Sequence, residues 1–95
     1  MRENKSEGGK MIWWSIEQGQ GGVVTPSDPL PPMPDVPRGC LLVITGRAPI
    51  WRYGMAIHKA HGSPAGAVAT YDPRLGVVVV MSHCPQWAEK QVIDI

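Results

Sequence analysis

His58, His61 and His83 are the only three histidines in a chain of 95 residues, and all lie between Gly46 and His83. The same stretch carries Arg47, Arg74 and Asp72, the one aspartate between Asp35 and Asp94. Imidazoles move protons near neutral pH. A carboxylate can position a water or hold a cation, and a guanidinium grips phosphate through paired hydrogen bonds. Together His61, Asp72, Arg74 and His83 offer a base or metal ligand, a carboxylate, an anion clamp and a second imidazole. That set suits phosphodiester cleavage.

Each piece also has a plainer use. His58 and His61 stand three residues apart and share a helical face. The spacing can chelate a metal, but no glutamate sits between them as in zinc-protease helices. Lys59 beside them disfavours a cation and suits a phosphate. Asp72-Pro73 opens ordinary turns, and His83 can simply end a strand. Gly46-Arg47-Ala48-Pro49 joins a strand to a helix, where backbone N–H groups and the helix dipole attract anions. A tight turn with a solvated arginine explains the same four residues. Trp51 can stack on a base or pack in an interface or core. No P-loop or GxSxG motif occurs, and Cys84 points away from His83 in a strand.

The elements that must position these residues follow from periodicity and turn chemistry. Met11 to Ile16 reads as a strand, Gly19 to Gly22 as a turn, and Val23-Val24-Thr25 as a brief return pairing. Pro26 to Pro37 holds six prolines in twelve residues, which excludes helix and central strand. It reads as a stiff extended crossing, with Leu30, Met33 and Val36 laying one face on the core. Leu41 to Thr45 is continuously apolar, as in a parallel strand covered on both faces. Pro49 suits the first helical turn. Ile50, Tyr53, Gly54, Ile57 and His61 then share one helical face, and Trp51, Met55 and His58 a neighbouring stripe. Gly62-Ser63-Pro64 stops the helix. Ala65 to Tyr71 and Val77 to Met81 form a hairpin about Asp72-Pro73-Arg74-Leu75-Gly76. Gln91 to Ile95 supplies a last short strand or the start of something further.

This order gives an α/β fold: a small mixed sheet with a central βαβ unit and a C-terminal hairpin. Asp72 and His83 then stand at opposite ends of the hairpin, roughly 15 Å or more apart. Either one chain holds two sites, or one site is shared between chains.

Composition sets outer bounds. A net charge of +1 gives no broad field for long nucleic acid, so DNA is not an expected partner. Residues 1–10 read as a disordered tail without a signal-peptide core, and 11–95 as one domain. Cys40 and Cys84 read as reduced thiols of a cytoplasmic protein. The longest apolar run, Val77 to Met81, is too short to cross a membrane.

Gly46-Arg47-Ala48-Pro49-Ile50-Trp51, His58-Lys59-Ala60-His61, Tyr71-Asp72-Pro73-Arg74-Leu75-Gly76 and Ser82-His83 together resemble the third family of CRISPR-associated ring nucleases. The likeness runs roughly from Ile12 to Ile95 and includes Gly22 to Pro26 and the proline-rich stretch. The family's usual Gly-Arg-Gly-Pro stands here as Gly46-Arg47-Ala48-Pro49. The resemblance implies a manganese-dependent phosphodiesterase that degrades cyclic tetra-adenylate and so switches off type III CRISPR antiviral signalling. It implies a fold distantly similar to the Rossmann-like CARF domains that sense such rings. It also implies dimers, two of which sandwich one ring in a composite site.

Carried over by position, His61, Asp72, Arg74 and His83 are catalytic, and Asp72 and His83 hold the metal. Gly46, Arg47, Ala48, Pro49, Trp51 and His58 bind the ligand. A sensor or sponge that binds the ring without cutting it is the alternative from another class. A manganese-dependent 3′ exoribonuclease acting on linear adenylate-rich RNA is the third reading.

Overall fold

The computed structural model describes residues 10–17 and 24–95. The expected turn at Gly19 to Gly22 and all but Lys10 of the expected tail lie outside the described residues. Those described form five strands and one α-helix: β1 Met11–Ser15, β2 Leu41–Thr45, α1 Ile50–His61, β3 Ala67–Asp72, β4 Gly76–Ser82 and β5 Val92–Ile93. The strands lie in one sheet in the order β1-β2-β3-β4-β5. β1, β2 and β3 run parallel, whereas β4 and β5 are antiparallel to their neighbours. The expected α/β fold, with its βαβ unit and hairpin, is the fold observed.

Alternation along β2 explains its apolar run. Leu42 and Ile44 join Trp14, Val68, Ala56 and Ala60 in the core under α1. Leu41 and Val43 join Ala67, Ala69, Val77 and Val79 on the other face, with Trp87 and Tyr71 packed against them. Each such Leu, Ile or Val contributes about 1.5–3 kcal/mol by leaving water. Both faces of β2 are therefore committed, as parallel strands require.

The crossing from β1 to β2 contains no described helix. Leu30, Met33 and Val36 pack against the α1-side core, as their spacing predicts. Val24 and Thr25 do not pair as a strand. Thr25 instead opens a turn in which its N–H donates to Asp28 Oδ2 at 2.8 Å and its carbonyl accepts from the Asp28 N–H at 2.9 Å.

Helix α1 differs from the sequence reading in its buried face. Pro49 is the N-cap rather than the first helical residue, and the buried positions are Arg52, Ala56 and Ala60. Tyr53 and Ile57 pack partly against the core, but Ile50 is 90% exposed, and Gly54 and His61 also face outward. Small alanines let the helix lie close to the sheet, and that close approach decides the inward face.

Arg52 is fully buried. Its Nε donates to the Ile16 carbonyl at 2.9 Å, and its two terminal nitrogens reach the carbonyls of Asp28 at 3.4 Å and Pro29 at 3.1 Å. One side chain thus fastens the exit of β1 and the start of the proline-rich crossing to α1. Replacing Arg52 by Met should cost about 3 kcal/mol or more, because buried carbonyls lose their donors. Arg52→Lys should recover only part of this, since an ammonium cannot reproduce the fork. Urea unfolding of the three proteins checks the order, and equal stability of wild type and Arg52→Met would contradict it.

Candidate functional site

The residues singled out in the sequence separate into two groups at opposite ends of the sheet. The first group gathers at the carboxyl ends of the parallel strands, where open α/β sheets usually bind ligands. Gly46 follows β2 with φ +118°, and a Cβ placed there would lie 2.9 Å from the Glu17 backbone nitrogen. Only glycine allows the exit of β1 to come this close. The Gly46 carbonyl accepts from the Tyr53 hydroxyl at 2.7 Å, and the Arg47 N–H donates to Glu17 Oε1 at 3.3 Å. Burial and the Glu17 charge raise the Tyr53 pKa above its ordinary value.

Two adjoining open hollows follow this edge. One, of about 540 Å³, is lined by Glu17, Thr45, Gly46, Arg47, Tyr53, Tyr71 and Pro73. The other, of about 490 Å³, runs past Ala48, Ile50 and Ile57 to Asp72 and Val80, and shares Tyr53, Tyr71 and Pro73 with the first. The structure thus brings Gly46 and Arg47 to the first hollow and Ala48 and Asp72 to the adjoining one. Pro49 caps α1 beside it, with no side-chain hydrogen bond to the cap and no acidic residue in the first turn. Trp51 and His58 do not line these hollows. Both are exposed on the outer stripe of α1, so Trp51 is not a core anchor of the described chain.

Asp72 has a structural task as well. Its Oδ1 accepts from the N–H of Arg74 at 2.7 Å and of Leu75 at 3.1 Å. These bonds, ahead of the nearby Arg74 charge, lower its pKa below the ordinary carboxylate value. The Arg74 Nε lies 3.9 Å from the same oxygen, and its side chain is 88% exposed. Asp72 therefore builds the turn that presents Arg74.

The second group lies at the other end. α1 runs back along the sheet and delivers His61 near the start of β3. β4 delivers His83 to the same place, where the His83 N–H donates to the Gly66 carbonyl at 2.7 Å. The His61 and His83 rings meet edge to face with centroids 4.9 Å apart.

A bulge makes this meeting possible. Val68 pairs with Met81 but Ala69 pairs with Val79, so Val80 is an extra residue. Without it, strict alternation would turn Met81 and His83 to the face opposite α1. With it, Met81 packs in the α1-side core and His83 follows on that side. Ser82 points the other way, and its hydroxyl lies 2.6 Å from the Trp87 carbonyl.

Asp72 and His83 are therefore separated by the length of β3, on the order of 17 Å. Among the described residues no group of three or more His, Cys, Asp or Glu is placed to hold a metal ion. With that separation, Asp72 and His83 of one chain cannot hold a single manganese ion together. No described helix is long and apolar enough to cross a membrane. Cys40 and Cys84 do not form a disulfide.

Glu17 was not singled out in the sequence, where it reads only as the polar end of a strand. Its place beside Gly46 and Arg47 depends on a contact thirty residues apart in the chain.

The lowered pKa of Asp72 gives a pH dependence of definite sign. A carboxyl held below its unfolded value stabilises the fold above that value, and the contribution is lost as pH falls through the native one. The stability difference between wild type and Asp72→Ala should be full at neutral pH and shrink on acidification below the ordinary carboxylate range. Urea unfolding over a pH series measures it. A difference that grows in acid would contradict the assignment.

Comparison with known proteins adds the family. An uncharacterized protein of Aquifex aeolicus (strain VF5) is 47% identical over 55 residues, a match covering 57% of this chain and 45% of the relative. The matched part of the chain thus spans less than half of that protein's length. The family described as CRISPR-associated protein (Cas_csx3) matches residues 18–94. That match takes in every position discussed at the two ends of the sheet except Glu17, and the chain belongs to this CRISPR-associated family.

Proposed function

We propose that the protein is a phosphodiesterase of CRISPR systems that cleaves cyclic tetra-adenylate, with its site assembled between copies of the chain. One observation carries this reading. The imidazole pair His61–His83 and the set Arg47, Asp72 and Arg74 lie at opposite ends of one sheet. Among the described residues, neither end holds the full complement for phosphodiester chemistry. Two copies stacked end to end would bring one set against the other around a small cyclic ligand.

In this reading His61 transfers a proton at the reacting phosphodiester, and His83 beside it acts as the second proton carrier or fixes the His61 ring. Arg74 and Arg47 of a neighbouring copy neutralise charge growing on the phosphate oxygens. Asp72 holds Arg74 through the turn and leaves Oδ2 free of hydrogen bonds among the described residues. Manganese belongs to the proposal only between copies, with Asp72 of one and His83 of another as its donors.

The test follows radiolabelled cyclic tetra-adenylate to linear products, with and without manganese. His61→Ala and Asp72→Asn should each lose about 100-fold or more in turnover. Asparagine keeps an oxygen for the turn, so this loss reports chemistry rather than folding. A mixture of the two inactive variants should regain turnover, because one composite site then holds both native sets. A ring bound and released intact under all conditions would replace the enzyme with a binder. Faster cleavage of a linear oligoadenylate than of the ring would favour the exonuclease.

A further inference from the structure

The hollow at the carboxyl edge contains one group that a phosphate site does not need. Among the described residues Glu17 is the only carboxylate lining it, together with Arg47, Tyr53, Tyr71 and Pro73. A carboxylate beside a polyanionic ligand is repulsive unless it meets a hydrogen-bond donor. The backbone nonetheless holds it there, since Gly46 at φ +118° admits the Glu17 main chain at a distance that a Cβ would forbid. Arg47 N–H fixes Oε1 at 3.3 Å, and Oε2 makes no hydrogen bond among the described residues.

Two tyrosines and a proline line the same hollow. Tyr53 is anchored through its hydroxyl to Gly46, and Tyr71 is braced edge-on by Trp13 at 6.0 Å between ring centroids. Rings and a proline of this kind form surfaces on which a nucleobase stacks. Such a surface with one acceptor beside it selects a base with an exocyclic amino group. Arg47 then takes the phosphate attached to the same nucleotide.

The geometry points to Glu17 as the base-reading residue of this hollow, its carboxylate accepting the 6-amino group of an adenine stacked against Tyr71 and Pro73. This rests on the cyclic oligoadenylate reading for the choice of nucleotide. It adds what distinguishes adenine from a purine with a 6-keto group. In the same pose a 6-keto oxygen would meet the carboxylate acceptor to acceptor, and the neighbouring N1–H would reach Glu17 only if the base slid out of that stack. Glutamine in place of Glu17 keeps an oxygen for the Arg47 N–H and adds an amide that can donate to a keto group.

Equilibrium binding of cyclic tetra-adenylate and cyclic tetra-inosinate to the full chain tests this. Cleavage of both rings is followed in the same samples. Wild type should prefer the adenylate by about 10- to 100-fold, the usual range for one good base contact. Glu17→Gln should bring the ratio to unity or below, weakening the adenylate, whose amino group now faces an amide donor, and tightening the inosinate. Arg47→Ala should weaken both rings alike and leave the ratio unchanged, as a phosphate contact does.

An unchanged preference in Glu17→Gln overturns the assignment even if both proteins cleave the ring. Lost preference in a protein that binds without cleaving overturns the enzyme reading and keeps the assignment. Failure of wild type to bind either ring removes both. Thermal unfolding of Glu17→Gln close to that of wild type shows that a changed ratio is not a folding defect.

Discussion

The fold depends on how the proline-rich crossing satisfies its backbone. Proline keeps a carbonyl acceptor but has no N–H, so this segment is rich in acceptors and poor in donors. It cannot balance itself by joining the sheet or coiling into a helix. Arg52 supplies donors from the neighbouring helix, bonding the carbonyls of Asp28 and Pro29 and that of Ile16. A guanidinium suits the task because it has five N–H groups in a rigid fork and no acceptor of its own. Its burial costs desolvation, offset by charge-assisted bonds to carbonyls. Through Arg52, the position of β1 becomes tied to α1. The contact between Glu17 and Gly46 follows from the same tie.

The result is a molecule with two chemically different ends. Strand direction and helix direction decide the division. Parallel strands β1, β2 and β3 present their carboxyl ends on one side, together with the N-terminus of α1. The antiparallel partner β4 and the C-terminus of α1 end on the other side. Acceptors and anion-binding groups therefore collect at one edge, and imidazoles at the other. On the composite-site proposal the two edges meet between copies rather than within one chain.

Much of the scaffold was legible because short-range chemistry specifies it. β2 was readable from its apolar run, the hairpin from Asp72-Pro73 and Gly76, and the helix limits from Pro49 and Gly62-Ser63-Pro64. The inward face of α1 was not, because large apolar residues such as Ile50 suggested burial while two alanines and Arg52 occupy the inside. Periodicity cannot show that a close helix prefers small residues, nor that an arginine finds acceptors 36, 24 and 23 residues away. The separation of Asp72 from His83 was legible from the hairpin length. The nearness of His61 to His83 was not, because it rests on the bulge at Val80, which nothing in a run of four valines announces.

Helix α1 has a further consequence as a ruler. Its twelve residues rise about 18 Å, and they alone set the spacing between the Gly46–Pro49 junction and His61. Each residue also turns the helix by roughly 100°, so length and phase are locked together. One inserted residue would advance His61 by little more than a bond length yet swing it to a different side of the helix. A residue added between Gly62 and Gly66 would change neither quantity. Within this small chain, tolerance to insertion should therefore change sharply at the end of α1, at a boundary set by angular register rather than by burial.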